Sequence, residues 1–239
     1  MKGLKFDRAY WKSRLKYPDW YIRLEKELGE HIFPIVHGDP VVKKFRHQVY
    51  ELIEELLEKG EIPLAIEGPN FDAERKSIDT IVIHHTEEEV GIRLSKLSAI
   101  GFVRQYGLRY LQNDVLGRKL RGNPIWSDHF RNGKMVFFVY HWLVRPNGQA
   151  ERLLKDEYIG WHSGVWEINT RSVGIAFSGN YEHEKPLAAQ IKSAAMVIKK
   201  HYPQIDRKRI FGHLEIKKNR TCPGEYFLKE WKAKLLNLI

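Results

Sequence analysis

Two histidines and the single cysteine of this chain are residue types that bind metal ions. His84 closes an apolar, β-branched run, His213 follows a glycine, and Cys222 precedes a Pro-Gly pair. Two imidazoles and one thiolate form a three-ligand zinc set, and such a set leaves a fourth position for water, as in catalytic zinc sites. The three residues therefore predict a catalytic zinc site.

Each of these residues also has a simpler interpretation. A lone cysteine is often a small buried hydrophobic residue, and a histidine at a strand end is often only hydrogen-bonded. With one cysteine in 239 residues no intrachain disulfide can form, so Cys222 needs another role. The metal hypothesis gains weight because the segments around the three residues match one family pattern.

Five short segments carry that pattern, in a fixed order between about Ser77 and Trp231. They are 82–86 (VIHHT), 140–148 (YHWLVRPNG), 162–177 (from HSG to SVGIAF), 212–213 (GH) and 221–224 (TCPG). Together they resemble the zinc-dependent N-acetylmuramoyl-L-alanine amidases, which include phage lysozyme-type amidases and peptidoglycan recognition proteins. The resemblance implies that His84, His213 and Cys222 bind zinc. It also implies hydrolysis of the bond between N-acetylmuramic acid and L-alanine in bacterial peptidoglycan, as in an antimicrobial, wall-degrading endolysin.

The same resemblance implies the catalytic residues. Tyr140 takes the place of the catalytic tyrosine, whose hydroxyl can bond the reacting water or the oxyanion; the alternative is a tyrosine filling a half-buried strand. Arg220 stands where phage-type members have lysine, two positions before Cys222. Either cation can stabilise a tetrahedral intermediate, although guanidinium presents a planar fork of donors. His85 should point away from His84, in a packing or orienting role.

Two departures from the family pattern concern its branches. A recycling branch carries a glutamate general base where this chain has Ala176, and it tends to use aspartate as the third ligand. Alanine cannot transfer a proton, so the chain is closer to the branch that uses a tyrosine and a cation. His213 and Cys222 are nine positions apart (222 − 213), one more than the phage-type pattern predicts, and a loop tolerates one added residue.

An aromatic loop at 161–166 follows the hairpin segment. The resemblance implies that His162 and Asn169, together with Trp161, line the groove for the peptide or the sugar. Aromatic rings are suited to stacking on glycan faces. The alternative is a loop packed over the core by Trp161 and Trp166.

The predicted secondary structure indicates an α/β fold from residue 76 onward. We predict strands at 80–86, 135–144, 149–154 and 172–178, and helices at 93–110, 187–202 and 227–238. The stretch between 110 and 133 is predicted to be a long loop that lines the substrate groove. A central mixed β-sheet flanked by helices accommodates these elements.

Residues 1–75 lie outside the resemblance and are predicted to form an N-terminal helical extension, which leaves 76–239 as the zinc amidase domain. Asp39 and Pro40 predict a helix start, as N-cap and first helical residue, and apolar residues keep helical spacing until Gly60. The segment 11–28 predicts another helix, and 62–71 an irregular connection. The apolar stripe is expected to pack within the protein; wall binding is the alternative.

Composition limits the protein class and the partners. A hydrophobic content of 43% is enough for a full core, but no apolar run approaches the roughly 18 residues of a membrane span. The first residues lack the apolar region of a signal peptide, so we expect synthesis in the cytoplasm. That fits a phage-type lysin released by another factor, which would then act on the cell wall, or an internal recycling enzyme, better than an exported protein. A net charge of +10 leaves anionic wall polymers and no specific partner as equal alternatives, and the absence of a long basic block disfavours nucleic acid.

Three function classes remain at this stage. The first is a zinc amidase, the second a non-catalytic peptidoglycan-binding recognition module, and the third a basic nucleic-acid binder with a structural metal. In peptidoglycan recognition proteins, loss of activity commonly accompanies loss of the cysteine ligand, so the presence of Cys222 favours the enzyme. No zinc-finger spacing supports the third class.

Overall fold

A computed structural model describes residues 5–17, 27, 39–62, 64–86, 121–122 and 126–239. The α-helices in these ranges are α1 (Arg8–Arg14), α2 (Pro40–Glu58), α3 (Trp166–Arg171), α4 (Ala188–His201), α5 (His213–Ile216) and α6 (Lys232–Asn237). The strands are β1 (Ala65–Glu67), β2 (Thr80–His85), β3 (Arg121–Gly122), β4 (Phe130–Arg131), β5 (Lys134–Met135), β6 (Trp142–Val144), β7 (Ala150–Arg152), β8 (Ser172–Phe177) and β9 (Ile210–Gly212). The predicted helix at 93–110 and most of the loop after it lie outside the described residues.

The chain divides into two compact units. The first comprises Met1–Asn70 and Ser98–Phe137, and the second comprises Phe71–Leu97 and Phe138–Ile239. The proposed boundary at residue 75 stays a prediction. No helix within the described ranges is long and apolar enough to cross a membrane.

In the first unit, α2 begins where the sequence predicts. The Asp39 carboxylate accepts hydrogen bonds from the backbone N–H groups of Val41 and Val42, and Pro40 occupies the first turn. These contacts satisfy donors that a helix start leaves unpaired. The helix ends at Glu58, and its apolar side chains include the fully buried Val49 and Ile53. The predicted helix at 40–60 is confirmed.

Two predictions about connections need correction. The irregular connection at 62–71 contains strand β1, which pairs with β3. The single strand at 135–144 is wrong, because β5 ends at Met135 and β6 begins at Trp142. The apolar side chains between them, Phe137 and Phe138 among them, are buried without a strand ladder. A run of apolar residues indicates that a segment is buried, but a buried segment need not pair as a strand.

The second unit contains a five-stranded mixed sheet in the order β7-β6-β8-β2-β9. Strands β6, β8, β2 and β9 run parallel to one another, and β7 pairs antiparallel with β6 through the predicted turn at 145–148. That turn closes on Gly148, which has a φ of +86°. The mixed α/β sheet is therefore confirmed.

One face of this sheet carries the hydrophobic core. Ile81 and Ile83 of β2 pack there with apolar residues of β8, α4 and α6. Because side chains alternate along a strand, Val82 and His84 point to the other face. The apolar pattern that forms the core thus also turns His84 away from it.

Candidate metal centre and active site

Two parallel strand ends bring the predicted histidine ligands together. Strands β2 and β9 pair in a register that places Ile83 opposite Gly212. His84 and His213 each come one residue later, at the same edge of the sheet, and their ring centroids are 4.7 Å apart. Residues 129 positions apart in sequence (213 − 84) therefore meet because parallel strands end together.

Backbone hydrogen bonds fix Cys222 beside the two histidines. The Leu214 N–H donates to the Cys222 carbonyl at 2.7 Å, which ties the turn after α5 back to its first residues. The His85 N–H donates to Cys222 Sγ at 3.3 Å, and Sγ lies 3.8 Å from His84 Nδ1. An N–H directed at sulfur favours the thiolate, which is the form that binds metal.

The nitrogen and sulfur atoms converge on one point. One ligand atom from each of His84, His213 and Cys222 lies within 4.8 Å of the others. Zinc bonds measure about 2.1 Å to nitrogen and about 2.3 Å to sulfur, so a single ion can contact both atoms of the 3.8 Å pair. The donor set and its spacing fit zinc.

The far nitrogen of each histidine is already engaged. His213 Nε2 lies 3.0 Å from the Ser163 carbonyl oxygen, which can only accept, so Nε2 carries the proton and Nδ1 has the free lone pair. His84 Nε2 lies 3.0 Å from His162 Nδ1, and its own Nδ1 faces the cysteine. Metal-binding histidines usually bond their second nitrogen in this way.

The electrostatic environment keeps both imidazoles neutral. Burial, with His162 and His213 as further causes, holds the pKa of His84 well below its usual range. Burial also lowers the pKa of His213 to about 4, against a hydrogen bond to Ser163 and with the charge of Arg220 as a smaller contribution. Neutral imidazoles offer the lone pairs that a cation needs.

The two predicted catalytic residues differ in their surroundings. The Tyr140 ring packs against His84, with centroids 5.0 Å apart. Arg220 is exposed on the turn before Cys222, where its N–H donates to the Lys217 carbonyl at 3.0 Å. Ala176 pairs with His84 in register and is fully buried, so no proton-transfer group stands at that position.

The structure places the three predicted groove residues in buried positions. The Asn169 side-chain oxygen accepts hydrogen bonds from the Ser163 N–H at 2.9 Å and the Ser163 hydroxyl at 2.7 Å. The Trp161 ring makes edge contacts with Phe71 and Trp166, which favours the packed-loop alternative. His162 is 6% exposed, with both ring nitrogens near partners.

Comparison with known proteins decides the family. The model of the N-acetylmuramoyl-L-alanine amidase family, Amidase_2, matches residues 74–225. This range holds every predicted site residue and covers more than half of the chain. The chain belongs to this family. It is therefore a hydrolase of the amide bond between N-acetylmuramic acid and L-alanine in peptidoglycan.

The individual relatives have low sequence identity to this chain. The amidase is 27% identical over 183 residues to the 1,6-anhydro-N-acetylmuramyl-L-alanine amidase AmpD of Haemophilus influenzae, which covers 71% of this chain and 89% of that protein. A solved structure of an AmpD derivative aligns with a TM-score of 0.47 at 20% identity, over 74% of this chain and 92% of that one. The amidase LysC from Clostridium intestinale aligns with a TM-score of 0.44 at 20% identity, over 72% and 91%.

A second layer of polar residues, which the sequence did not predict, lies behind the candidate metal ligands of the amidase. His141 donates its backbone N–H to the Gly174 carbonyl, and its Nδ1 accepts from the Gly174 N–H at 3.1 Å. Ser172 places its hydroxyl 3.1 Å from His162 Nε2. The signal was present as polar residues inside strongly apolar strand segments, but their partners are distant in sequence.

Proposed function

We propose that the amidase hydrolyses its substrate with a zinc ion held by His84, His213 and Cys222. The observation that supports this most is the convergence of three donor atoms within 4.8 Å, with the far nitrogens of both histidines already engaged. When bound, zinc supplies a Lewis acid that polarises the scissile carbonyl and makes water nucleophilic near neutral pH. Peptidoglycan is the proposed partner.

The proposed ligands contribute different properties to the site. Cys222 contributes the negative charge as a thiolate, held by the His85 N–H. His213 contributes a neutral nitrogen whose direction is fixed by the Ser163 carbonyl. The thiolate tempers the acidity of a metal more than a third imidazole would, so helper groups around the site gain importance.

Tyr140 and Arg220 are the proposed helper groups. The Tyr140 ring stands against His84, and we assign its hydroxyl the role of donating to the oxygen that becomes negative in the transition state. Arg220 brings a permanent positive charge close enough to lower the pKa of His213. Such a charge contributes most when the substrate oxygen becomes negative.

The substrate form is a second question within the same function. The name of the Haemophilus influenzae relative specifies a 1,6-anhydro-N-acetylmuramyl substrate. In this chain the position beside His84 is Ala176 and the proposed third ligand is cysteine, whereas the recycling branch carries a glutamate at the first position and tends to use aspartate at the second. We therefore propose polymeric wall as the substrate and the endolysin-like role as the context.

The test combines metal content with product formation. Zinc bound per chain is measured together with newly released N-terminal alanine, on purified wall and on 1,6-anhydro fragments. Cys222→Ser should lose zinc retention and activity together, because serine offers no thiolate at neutral pH. The control is Thr221→Ala, which removes an exposed hydroxyl next to the ligand. Wild-type zinc affinity in Cys222→Ser would remove Cys222 from the site.

The recognition-module alternative has its own distinguishing outcome. A wild-type protein that binds wall fragments in calorimetry but releases no alanine at saturating zinc would be a binder. A protein that releases alanine from 1,6-anhydro fragments and not from wall would contradict the polymeric substrate alone.

A further inference from the structure

A chain of three buried polar side chains lies within the second unit and begins at the candidate metal ligand His84. His84 Nε2 lies 3.0 Å from His162 Nδ1, and His162 Nε2 lies 3.1 Å from Ser172 Oγ. The three side chains are 1%, 6% and 0% exposed, respectively. With so little exposure, the direction of the hydrogen bonds is set by the protein itself.

Protons can be arranged along this chain in two ways. In the first, His84 Nε2–H donates to His162 Nδ1, and His162 Nε2–H donates to Ser172 Oγ. His84 Nδ1 then has a free lone pair facing Cys222 Sγ. In the second, the Ser172 hydroxyl donates to His162, His162 donates to His84 Nε2, and the proton of neutral His84 must sit on Nδ1. Only the first arrangement leaves a nitrogen that can bind a metal.

We propose that His162 and Ser172 are positioning residues that hold His84 with its proton on Nε2 and its Nδ1 free for the metal. The comparison with His213 supports this. The partner of His213 is the Ser163 carbonyl, which can only accept and fixes that tautomer alone. The partner of His84 is the imidazole of His162. A neutral imidazole accepts a hydrogen bond at Nδ1 only if its proton is on Nε2, and this Nε2–H then needs an acceptor of its own. Ser172 Oγ is the acceptor within reach.

The dipeptide His162-Ser163 thus orients both histidine ligands. The His162 side chain serves His84, and the Ser163 carbonyl serves His213. Asn169 holds the dipeptide through two hydrogen bonds to Ser163, at 2.9 Å and 2.7 Å. This assigns to His162 and Asn169 an orienting role in place of the groove contact expected from the sequence.

The backbone around this hydrogen-bonded chain keeps the His162 ring and Ser172 in place. The His162 ring lies directly on Gly174, where an added Cβ would come within 2.8 Å of the ring. The Ser172 carbonyl accepts from Arg75 Nη1 at 2.9 Å, which fixes the start of β8. A residue that only filled space here would not need both ring nitrogens placed at hydrogen-bond distance.

The first measurement is the tautomer of His84 in full-length, metal-stripped protein, read from imidazole ¹⁵N shifts. The wild type should show the Nε2–H form. Ser172→Ala removes the acceptor of His162 Nε2–H, so His162 should switch to Nδ1–H and drive His84 toward its own Nδ1–H form. Thr170→Val is the matched control, because it removes a buried hydroxyl that bonds only to the Glu167 carbonyl in its own helix.

The second measurement is metal affinity, with Co²⁺ absorption and competition by Zn²⁺ as probes. His162→Ala should weaken binding by about 10- to 100-fold, the range found for lost outer-shell partners. His162→Asn places an amide oxygen near the position of Nδ1 and should restore much of that loss. His162→Leu completes the series, because leucine fills the space of the ring at least as well as asparagine but accepts no hydrogen bond. A simple packing role therefore predicts that His162→Leu binds metal better than His162→Asn.

The outcomes separate this inference from the proposed function, on whose metal site it rests. An unchanged His84 tautomer and unchanged affinity in Ser172→Ala would overturn the inference, as would His162→Leu binding metal better than His162→Asn. If the wild type binds zinc and Ser172→Ala shows the expected shift of the His84 tautomer, but the wild type releases no alanine, the proposed activity would be defeated and the inference would stay intact. A wild type that binds neither Co²⁺ nor Zn²⁺ would defeat both.

Discussion

The Tyr140 ring packs against the candidate ligand His84, so ring packing and hydroxyl chemistry can be tested separately. Tyr140→Phe retains the ring that packs on His84 with centroids 5.0 Å apart and removes the hydroxyl alone. We expect turnover to fall by about 10²-fold or more, which is typical for the loss of an oxyanion donor or proton-transfer group. Zinc content and the unfolding midpoint should stay at wild-type values. Alanine release under saturating substrate is the measurement.

A matched tyrosine makes that result interpretable. Tyr226→Phe removes a hydroxyl from a ring that contacts the Lys185 and Lys229 ammonium groups, and phenylalanine retains both ring contacts. This control should keep full activity. Equal activity in Tyr140→Phe and Tyr226→Phe would leave Tyr140 with a packing role only.

Arg220 differs from Tyr140 because its proposed role depends on charge. Its side chain is exposed on the turn before Cys222, and its charge contributes to the lowered pKa of His213. We expect Arg220→Ala to depress turnover far more than fragment affinity, and Arg220→Lys to restore part of the rate. Calorimetry with wall fragments and timed alanine release give the two quantities.

A neighbouring lysine tests whether any cation on this turn would serve. Lys218 is exposed two positions earlier and is not among the charges that act on His213. Lys218→Ala should therefore leave turnover unchanged. If Arg220→Ala binds and hydrolyses like the wild type, Arg220 is a solvated loop residue.

At the scale of elements, the site exists because two parallel strands end at one edge. The apolar, β-branched run of β2 predicts a buried strand with His84 near its end, and the Asp39-Pro40 pair predicts the start of α2. Both predictions were confirmed, since they depend on local spacing and local hydrogen bonds. The short strands were harder to predict, because β6 spans three residues and its limits depend on pairing with β8 rather than on its own composition.

The same distinction explains which site residues could be predicted. The residue types of His84, His213 and Cys222 indicate metal binding without knowledge of the fold. The orienting role of His162 does not follow from its own segment, since its partners His84 and Ser172 lie on two strands that become neighbours only in the sheet. The aromatic loop next to the site suggests a groove, whereas the side chains expected to line it, Trp161, His162 and Asn169, are buried in the structure.

Gly174 gives a prediction at this scale, because β8 meets the His162 ring there. An added Cβ would lie 2.8 Å from Cγ of that ring and 2.9 Å from Cδ2, which is closer than a carbon contact allows. Gly174→Ala should therefore destabilise the fold by about 1 to 3 kcal/mol, as overpacking does, and weaken zinc binding through displacement of His162. Urea unfolding and Zn²⁺ competition are the measurements.

A double variant tests the cause. When the ring is removed by His162→Ala, the added methyl group has space, so Gly174→Ala should cost much less stability in that background than in the wild type. Additive effects of the two substitutions would show that the cost of Gly174→Ala arises in the strand backbone and not at the ring.

For the whole molecule, the buried histidines couple folding to pH. In an unfolded chain histidine titrates near pH 6.5, but burial lowers the pKa of His162 to about 3 and that of His213 to about 4 in the fold. Burial also lowers the pKa values of His84 and His141. Between pH 6.5 and these lower values the unfolded chain binds more protons than the folded chain, so acid favours unfolding.

The metal-free protein should accordingly keep full stability above pH 6.5 and lose it as the pH falls toward 4. Each histidine that stays neutral in the fold adds a slope approaching about 1.4 kcal/mol per pH unit. Urea unfolding at successive pH values between 8 and 5 measures the sum of these histidine contributions. His213→Asn should make the dependence of the unfolding free energy on pH shallower. His183→Asn, at a side chain that is 79% exposed, serves as the control. Protons compete with metal for the same lone pairs, so the stabilisation gained at a fixed zinc concentration should decline over the same pH range. A stability that stays flat from pH 8 to pH 5 would mean that these imidazoles accept protons within the fold, which would contradict the neutral ligand set on which the metal centre depends.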